Sequence, residues 1–267
     1  MDRIERKIID FYLSLRRRTI TELSSKDEVL QLISRLRPVE ALNPLVRIGP
    51  VDDGGYLVPD DLDGVGSCFS PGVGEEWGFE RDCLSRGMKV FMADASVDET
   101  QVFPHECDFR KNFIGAYSSG NYLSMDDWMR EERDSFGGDL LLQMDIEGAE
   151  YESLLGISVP NLERFRIMVV EFHRLDFWWH SPYFKLVAAV FGKLLQSHIC
   201  VHSHPNPYGG MVSRFGVDMP KHVEMTFLRR DRGISDHYVQ TLPHPLDSAV
   251  GRERNLNMPA IWYQSYG

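Results

Sequence analysis

Three apolar runs in the 267-residue chain end in side chains that can move a proton or hold a cation. Asp139-Leu140-Leu141-Leu142-Gln143-Met144 leads into Asp145, Glu147 and Glu150. Arg166-Ile167-Met168-Val169-Val170 leads into Glu171 and His173, and Ile199-Cys200-Val201 into His202, His204 and Asn206. Carboxylates and imidazoles are the usual proton acceptors of enzymes, and both also bind divalent cations. Two chemistries are therefore open. In one, His173 takes a proton from a reacting hydroxyl while Asp145 orients that hydroxyl, with Glu147 and His204 as further candidate catalytic groups. In the other, Mg²⁺ or Mn²⁺ held by Asp145, Glu171 and His204 makes the hydroxyl acidic. No compact spacing such as His-x-x-x-His joins these ligands, so only the fold could assemble them. Glu150 needs no chemistry to explain it, because a carboxylate is favourable at the start of a helix.

Runs this apolar suit strands buried on both faces of a parallel sheet, whose carboxyl ends line a binding crevice. Another such run, Val65-Gly66-Ser67-Cys68-Phe69-Ser70, passes into Pro71-Gly72-Val73-Gly74 and then into an expected helix. Twenty residues past Gly74, the apolar run Lys89-Val90-Phe91-Met92-Ala93 ends on Asp94. Doubly wound folds place there the carboxylate that grips a ribose diol. Ser70, Gly72, Gly74, Asp94, Ala95 and Asp145 are the expected cofactor contacts. Glu75 and Glu76 would open the helix, where a dinucleotide's pyrophosphate would otherwise meet backbone N–H groups. Trp77 stands where the dinucleotide fingerprint wants its third glycine. Two carboxylates repel a diphosphate, whereas S-adenosyl-L-methionine carries a ribose, no phosphate and a cationic sulfonium. That compound is the expected cofactor, with NAD as the alternative.

A chain of this length with 43% hydrophobic residues can bury one substantial α/β core. Ile4, Ile8, Phe11, Tyr12 and Leu15 recur at helical spacing, so residues 2 to 18 read as an amphipathic helix. Ser25 and Glu28 make a capping box for a second helix through Leu36, stopped by Pro38. Residues 1–45 are expected to form a helical extension, serving as a lid or for homo-oligomerisation, and residues 46–267 the catalytic domain. No apolar run approaches the about 18 residues of a membrane span, and the charged N-terminus lacks a secretory signal, so a cytoplasmic protein is expected. Scattered Cys68, Cys83, Cys107 and Cys200 suggest reduced structural thiols. A net charge of −11 argues against a nucleic-acid partner.

Asp52-Asp53-Gly54-Gly55 is a turn signal between two short apolar runs, and the resulting hairpin could bring Asp53 or Tyr56 over the site. Trp178 and Trp179 offer a platform for a sugar ring, or pack their loop onto the core. The tail over 231–267 reads as mostly irregular.

Asp145-Ile146-Glu147-Gly148-Ala149-Glu150, with the Ser70-x-Gly72-x-Gly74 turn, Asp94 and Glu171-x-His173, resembles the FkbM-type class I S-adenosylmethionine-dependent methyltransferases. The Arg47 to Val58 element is similar to a related branch called methyltransferase-like domains, and together the resemblance runs from about Arg47 to Arg230. It implies a Rossmann-like α/β fold with a seven-stranded, mostly parallel sheet of order 3-2-1-4-5-7-6, helices on both faces, and Val223 to Arg229 as the reversed last strand. It also implies O-methylation of a sugar, polysaccharide or related glycan hydroxyl. A polyketide or other small-molecule hydroxyl, and a non-catalytic or NAD-binding Rossmann-like domain, are the alternatives. Family members often begin the cofactor turn with Asp, whereas Ser70-Pro71 stand here, so no acidic contact to the methionine amine is assigned at that point.

Overall fold

The computed structural model describes residues 19–51, 54–74, 76–97, 103, 105–247 and 256–264. Its central sheet contains β1 (Val65–Pro71), β2 (Lys89–Ala93), β3 (Cys107–Arg110), β4 (Asp139–Met144), β5 (Phe165–Phe172), β6 (His198–Pro205) and β7 (Val223–Arg229). The spatial order is 3-2-1-4-5-7-6. β1 to β5 run parallel, while β7 is antiparallel to β5 and β6. This is a Rossmann-like class I methyltransferase fold, with the reversed strand at the residues the sequence implies.

The sheet is buried on both sides, which is why its central strands are apolar without a break. Alternation along β4 sends Leu140, Leu142 and Met144 to one face and Leu141 to the other. The first face is covered by α1 (Lys26–Arg35), α3 (Met125–Glu131), α4 (Glu150–Gly156) and α5 (Ser181–Ser197), through Val29, Trp128, Tyr151 and Phe191. The second is covered by α2 (Gly78–Ser85), through Phe79 and Cys83, and by a hairpin pairing Leu45–Ile48 with Tyr56–Pro59. Thr226 Oγ1 donates to Leu57 O at 2.7 Å, seating that hairpin on β7. At the amino end of the sheet, Asp139 accepts from Arg166 at 2.7 Å and from Arg229 at 2.9 Å. The opposite edge is left for the site.

The capping box of α1 forms as its sequence indicates, with Ser25 Oγ accepting from Glu28 N and Glu28 Oε2 accepting from Ser25 N. Its buried face of Val29, Leu32 and Ile33 joins the main core cluster, so that face is covered within the chain. The helix expected over 2 to 18 lies outside the described residues. The tail is less irregular than its composition suggests. Ile234–Tyr238 pairs with Val39–Ala41, Trp262 is buried against Trp178 at a ring distance of 5.9 Å, and Asp247 reaches His202 on the edge strand β6. All four cysteines are free, and three are buried. No helix among the described residues is long and apolar enough to cross a membrane.

Candidate functional site

The glycine turn after β1 is wedged between the ends of β2 and β4. Gly72 N donates to Ala93 O at 2.9 Å, and Asp145 N donates to Pro71 O at 3.2 Å. A Cβ on Gly72 would stand 1.6 Å from Asp145 O, at a φ of +85° that favours glycine in any case. Only glycine fits. Gly74 N donates to Asp94 Oδ2 at 3.2 Å, while Ser96 donates to Asp94 Oδ1 from its backbone N at 2.7 Å and its hydroxyl at 2.6 Å. Asp94 is thereby fixed across the turn, and it lines the crevice. Ala95 beside it is half-buried.

Two cavities meet at Gly72, Asp94, Ser96, Asp145 and Glu147. One, of about 300 Å³, is polar and is walled by Gly54, Tyr56, Gly74, Glu76, Glu80 and Gln143. The other, of about 320 Å³, is walled by Ala93, Phe113, Ile114, Tyr122, Ile146 and Ala149. The hairpin does lie over the crevice, bringing Gly54 and Tyr56; Asp53 and Glu75 fall outside the described residues. Among the described wall residues of either cavity there is no Lys or Arg. Such a crevice suits a ligand that is apolar at one end, polar at the other and not anionic between.

Ser70 corrects one expected contact. Its side chain is fully buried and bonds to Glu80 and, at 2.7 Å, to Gln143 Oε1. The hydroxyl supports the wall from behind rather than facing a ligand.

Beyond β4 the chain turns through Glu147 at φ +56° and Gly148 at φ +108° before α4 begins. Left-handed backbone at a non-glycine residue costs of order 1 kcal/mol and persists where the surroundings enforce it. Here the enforcer is Glu150. Wholly buried, its Oε1 accepts from Ile146 N at 3.2 Å and Gly148 N at 2.9 Å, and it lies 3.0 Å from His173 Nδ1. His173 Nε2 then stands 3.8 Å from Asp145 Oδ1, 3.6 Å from Glu147 Oε2 and 3.6 Å from Glu171 Oε1. Burial works against the imidazolium, but the Glu150 hydrogen bond and the charges of Glu150, Asp145 and Glu147 outweigh it and hold His173 above its ordinary value. The His222 ring lies 4.5 Å from that of His173, and burial with the neighbouring imidazolium pushes His222 down. Asn206 Nδ2 donates to Glu171 Oε1 at 2.9 Å.

Two sets of ligand atoms lie within 4.8 Å of one another, Asp145 with Glu147 and His173, and Glu171 with His173 and His222. Either could hold a divalent cation. The expected set of Asp145, Glu171 and His204 is not assembled. β7 separates β6 from β5, so His204 is two strand spacings, about 10 Å, from Glu171 along the sheet. Its ring turns to the C-terminal segment instead: Asp247 Oδ2 lies 3.4 Å from His204 Nδ1, and Asp247 Oδ1 lies 3.0 Å from His202 Nε2. Burial opposes ionisation of Asp247, but the His202 hydrogen bond and the charge of the nearby His204 ring hold its carboxyl well below the usual range. Burial likewise disfavours charged His204, yet Asp247 and Glu224 keep its value raised. Glu224, facing His204 across the β6–β7 register, is pushed by burial up to about 7. His204 therefore belongs to a group apart from His173.

Trp178 and Trp179 are buried, and Trp178 Nε1 donates to Tyr151 Oη at 3.0 Å, so neither offers an acceptor platform. Aromatic walls come instead from Phe113 and Tyr122, whose rings lie 5.7 Å apart. Sequence reasoning gave no role to them, to His222 or to Asp247, and gave Glu150 only a helix start. For Glu150 a signal existed, because the carboxylate belongs to the same Asp-x-Glu-Gly-x-Glu block as Asp145.

No family profile and no curated protein matches the chain. Several solved structures are similar at low identity. Fibrillarin in its complex with Nop5p is 10% identical with a TM-score of 0.35, over 62% of this chain and 73% of that one. A 1,6-didemethyltoxoflavin-N1-methyltransferase of Burkholderia thailandensis, with bound S-adenosylhomocysteine, is 12% identical with a TM-score of 0.32, over 62% and 72%. A TehB-like SAM-dependent methyltransferase of Corynebacterium glutamicum is 11% identical with a TM-score of 0.32, over 86% and 100%. At these scores the likeness adds nothing to what strand order and crevice geometry carry.

Proposed function

We propose that the chain is an S-adenosylmethionine-dependent methyltransferase acting on a hydroxyl. The observation that carries this reading is the two-part, acid-walled crevice at the carboxyl edge of a 3-2-1-4-5-7-6 sheet, with Asp94 and the Gly72–Gly74 turn at its junction. Adenine suits the apolar compartment between Phe113, Tyr122 and Ile146, ribose suits Asp94, and the sulfonium and amino-acid end suit the polar compartment. A dinucleotide would bring a pyrophosphate to Asp94, Glu76 and Glu80 with no cation in the wall to meet it, which disfavours NAD.

Methyl transfer is an in-line displacement: the acceptor oxygen forms a bond to the methyl carbon as the carbon–sulfur bond breaks, leaving S-adenosylhomocysteine. Most of the acceleration can come from positioning the two partners. The proton of the hydroxyl goes to His173 Nε2, with Asp145 and Glu147 orienting the acceptor in front of it. The ring is held in that tautomer by Glu150 at Nδ1. A sugar or glycan is the acceptor class, a choice that rests on the resemblance of the Asp145 to Glu150 block; nucleic acid is disfavoured by the same acidic walls. A second reading has a divalent ion at Asp145, Glu147 and His173 acidify the hydroxyl, favoured by the convergence of those donors.

Titration calorimetry with S-adenosylhomocysteine, followed by transfer of labelled methyl groups to candidate polysaccharides with and without chelator, tests the reading. Saturable binding and chelator-resistant transfer are expected. Binding of NADH in preference to S-adenosylhomocysteine overturns it, and transfer abolished by chelator selects the metal.

A further inference from the structure

The polar compartment contains a buried carboxyl that the methyl-transfer step leaves unused. Glu80, on the first turn of α2, is 3% exposed yet forms part of the cavity wall beside Tyr56, Gly74 and Gln143. It is bonded to Ser70 Oγ. No Lys, Arg or His among the described residues forms an ion pair with it. A buried carboxylate without a cation is costly, so burial pushes its proton affinity up, opposed by the Ser70 hydrogen bond. The local bonding agrees. Ser70 Oγ meets both Glu80 Oε1 and Gln143 Oε1, and one hydroxyl hydrogen cannot serve two acceptors. With the Gln143 amide turned so that its Nε2 donates to Tyr56 Oη at 3.4 Å, a proton on Glu80 satisfies the group, Glu80 donating to Ser70 and Ser70 donating to Gln143.

The place of Glu80 in the crevice says what would relieve that charge. Asp94, Asp145 and Glu147 belong to both compartments, whereas Glu80 belongs to the polar one alone. A ligand with its nucleoside across the junction and its base in the apolar compartment extends its remaining end toward Glu80. In S-adenosylmethionine that end carries a primary ammonium. Ser70 leaves the end of β1 without an acid, and Glu80 brings one to the same hydroxyl from the neighbouring helix.

We propose that Glu80 is the specificity-determining contact for the α-ammonium group of the cofactor's methionine moiety, a role that rests on the S-adenosylmethionine reading above. On binding, the ammonium keeps its protons and Glu80 releases its own to solvent, so cofactor binding is coupled to proton release. A ligand with the same nucleoside and thioether but no amino acid does not produce that release.

The test is calorimetry with S-adenosylhomocysteine and with 5′-deoxy-5′-methylthioadenosine, which lacks the amino-acid portion. Glu80→Gln is expected to lose about tenfold to hundredfold in affinity for the first while keeping the second within about threefold. Unchanged S-adenosylhomocysteine affinity in Glu80→Gln overturns the assignment, as does equal loss of both ligands, which marks a structural role. The parent protein supplies a measurement independent of how that variant folds. Binding enthalpies in phosphate and in Tris are expected to report proton release with S-adenosylhomocysteine and none with methylthioadenosine, and equal release with both overturns the proposal. Failure of the parent protein to bind either ligand removes the cofactor reading itself, an outcome distinct from failure of Glu80 alone.

Discussion

Glu150 Oε1 lies 3.0 Å from His173 Nδ1, and the carboxylate that supplies it is sealed from solvent. The same oxygen accepts from Ile146 N and Gly148 N, so one buried group ties the turn after β4 to the imidazole at the end of β5. A carboxylate on Nδ1 selects the tautomer whose lone pair is on Nε2, and Nε2 faces Asp145 and Glu147. Orientation of the ring and shape of the crevice wall at Glu147 thus have a common origin.

His173→Ala should lower turnover by about 10²- to 10⁴-fold while S-adenosylhomocysteine affinity stays within a few-fold of the parent. Glu150→Gln should also lower turnover, with a signature of its own. As the proposed base, His173 would act when neutral, so with its value raised activity should increase as pH rises through that value and be lost below it. Removing the Glu150 charge lowers the value, so the acid limb of the rate profile moves to lower pH. An acid limb unmoved in Glu150→Gln would show that His173 is not the titrating base.

Asp94 bonds its own loop as well as lining the crevice, and in the proposed cofactor pose its replacement acts on the nucleoside portion. Asp94→Asn should weaken S-adenosylhomocysteine and methylthioadenosine alike, by about tenfold to hundredfold. The contrast with Glu80→Gln, which should spare methylthioadenosine, would assign the two acids to different ends of the cofactor. Retained affinity for both ligands in Asp94→Asn would remove the ribose assignment.

What the sequence shows of this architecture is what local chemistry dictates. The unbroken apolar runs at Leu140–Leu142 and Val169–Val170 require strands covered on both faces, and polar residues immediately beyond such strands must lie at their carboxyl edge. The pairing of those polar residues is another matter. His204 and Glu171 both close strands, but reversed β7 lies between them, and no local pattern reveals a strand inserted at that place. The partner of His204 is Asp247, from a Pro-rich stretch with no periodicity to mark it. Trp178 and Trp179 occupy a short 3₁₀ turn in which both rings are buried, Trp178 against Tyr151, Phe191 and Trp262 and Trp179 against Phe215, surfaces that no local pattern announces.

Gly72 and Gly74 look alike in sequence and differ in what surrounds them. Both have positive φ, but a Cβ at Gly72 meets Asp145 O, whereas one at Gly74 meets nothing within 4 Å. Gly74→Ala should therefore cost about 1–2 kcal/mol, the penalty of left-handed backbone alone. Gly72→Ala must also push β4's end away from β1, and should cost clearly more and abolish cofactor binding. Thermal denaturation of the two variants checks the order, and equal losses would contradict the wedge between β1 and β4.

Asp247 is the last structural acid to place, and its effect is on the wall of the site through Arg47. The segment that carries it accepts from Arg47 Nη2 at Leu246 O, 2.7 Å, while Arg47 Nη1 donates to Gly55 O at 2.7 Å in the hairpin over the polar compartment. Asp247→Asn leaves buried His204 with Glu224 as its remaining acidic neighbour and should cost about 3 kcal/mol, the lower end for breaking a buried pair. The sign of the pH dependence follows from the two shifts. Asp247, held low, contributes stability above its unfolded value of about 3.9 and loses it as pH falls through the folded value. His204, held high, contributes fully below about 6.5 and loses its share as pH rises through its folded value. The stability gap between the parent and Asp247→Asn should thus be widest between about pH 4 and 6.5 and narrow on the alkaline side. Urea denaturation at pH 5.5 and 9 measures it, with a parallel fall in S-adenosylhomocysteine affinity expected because Gly54 and Tyr56 lose their support. A gap equal at both pH values would mean that Asp247 is held by packing alone.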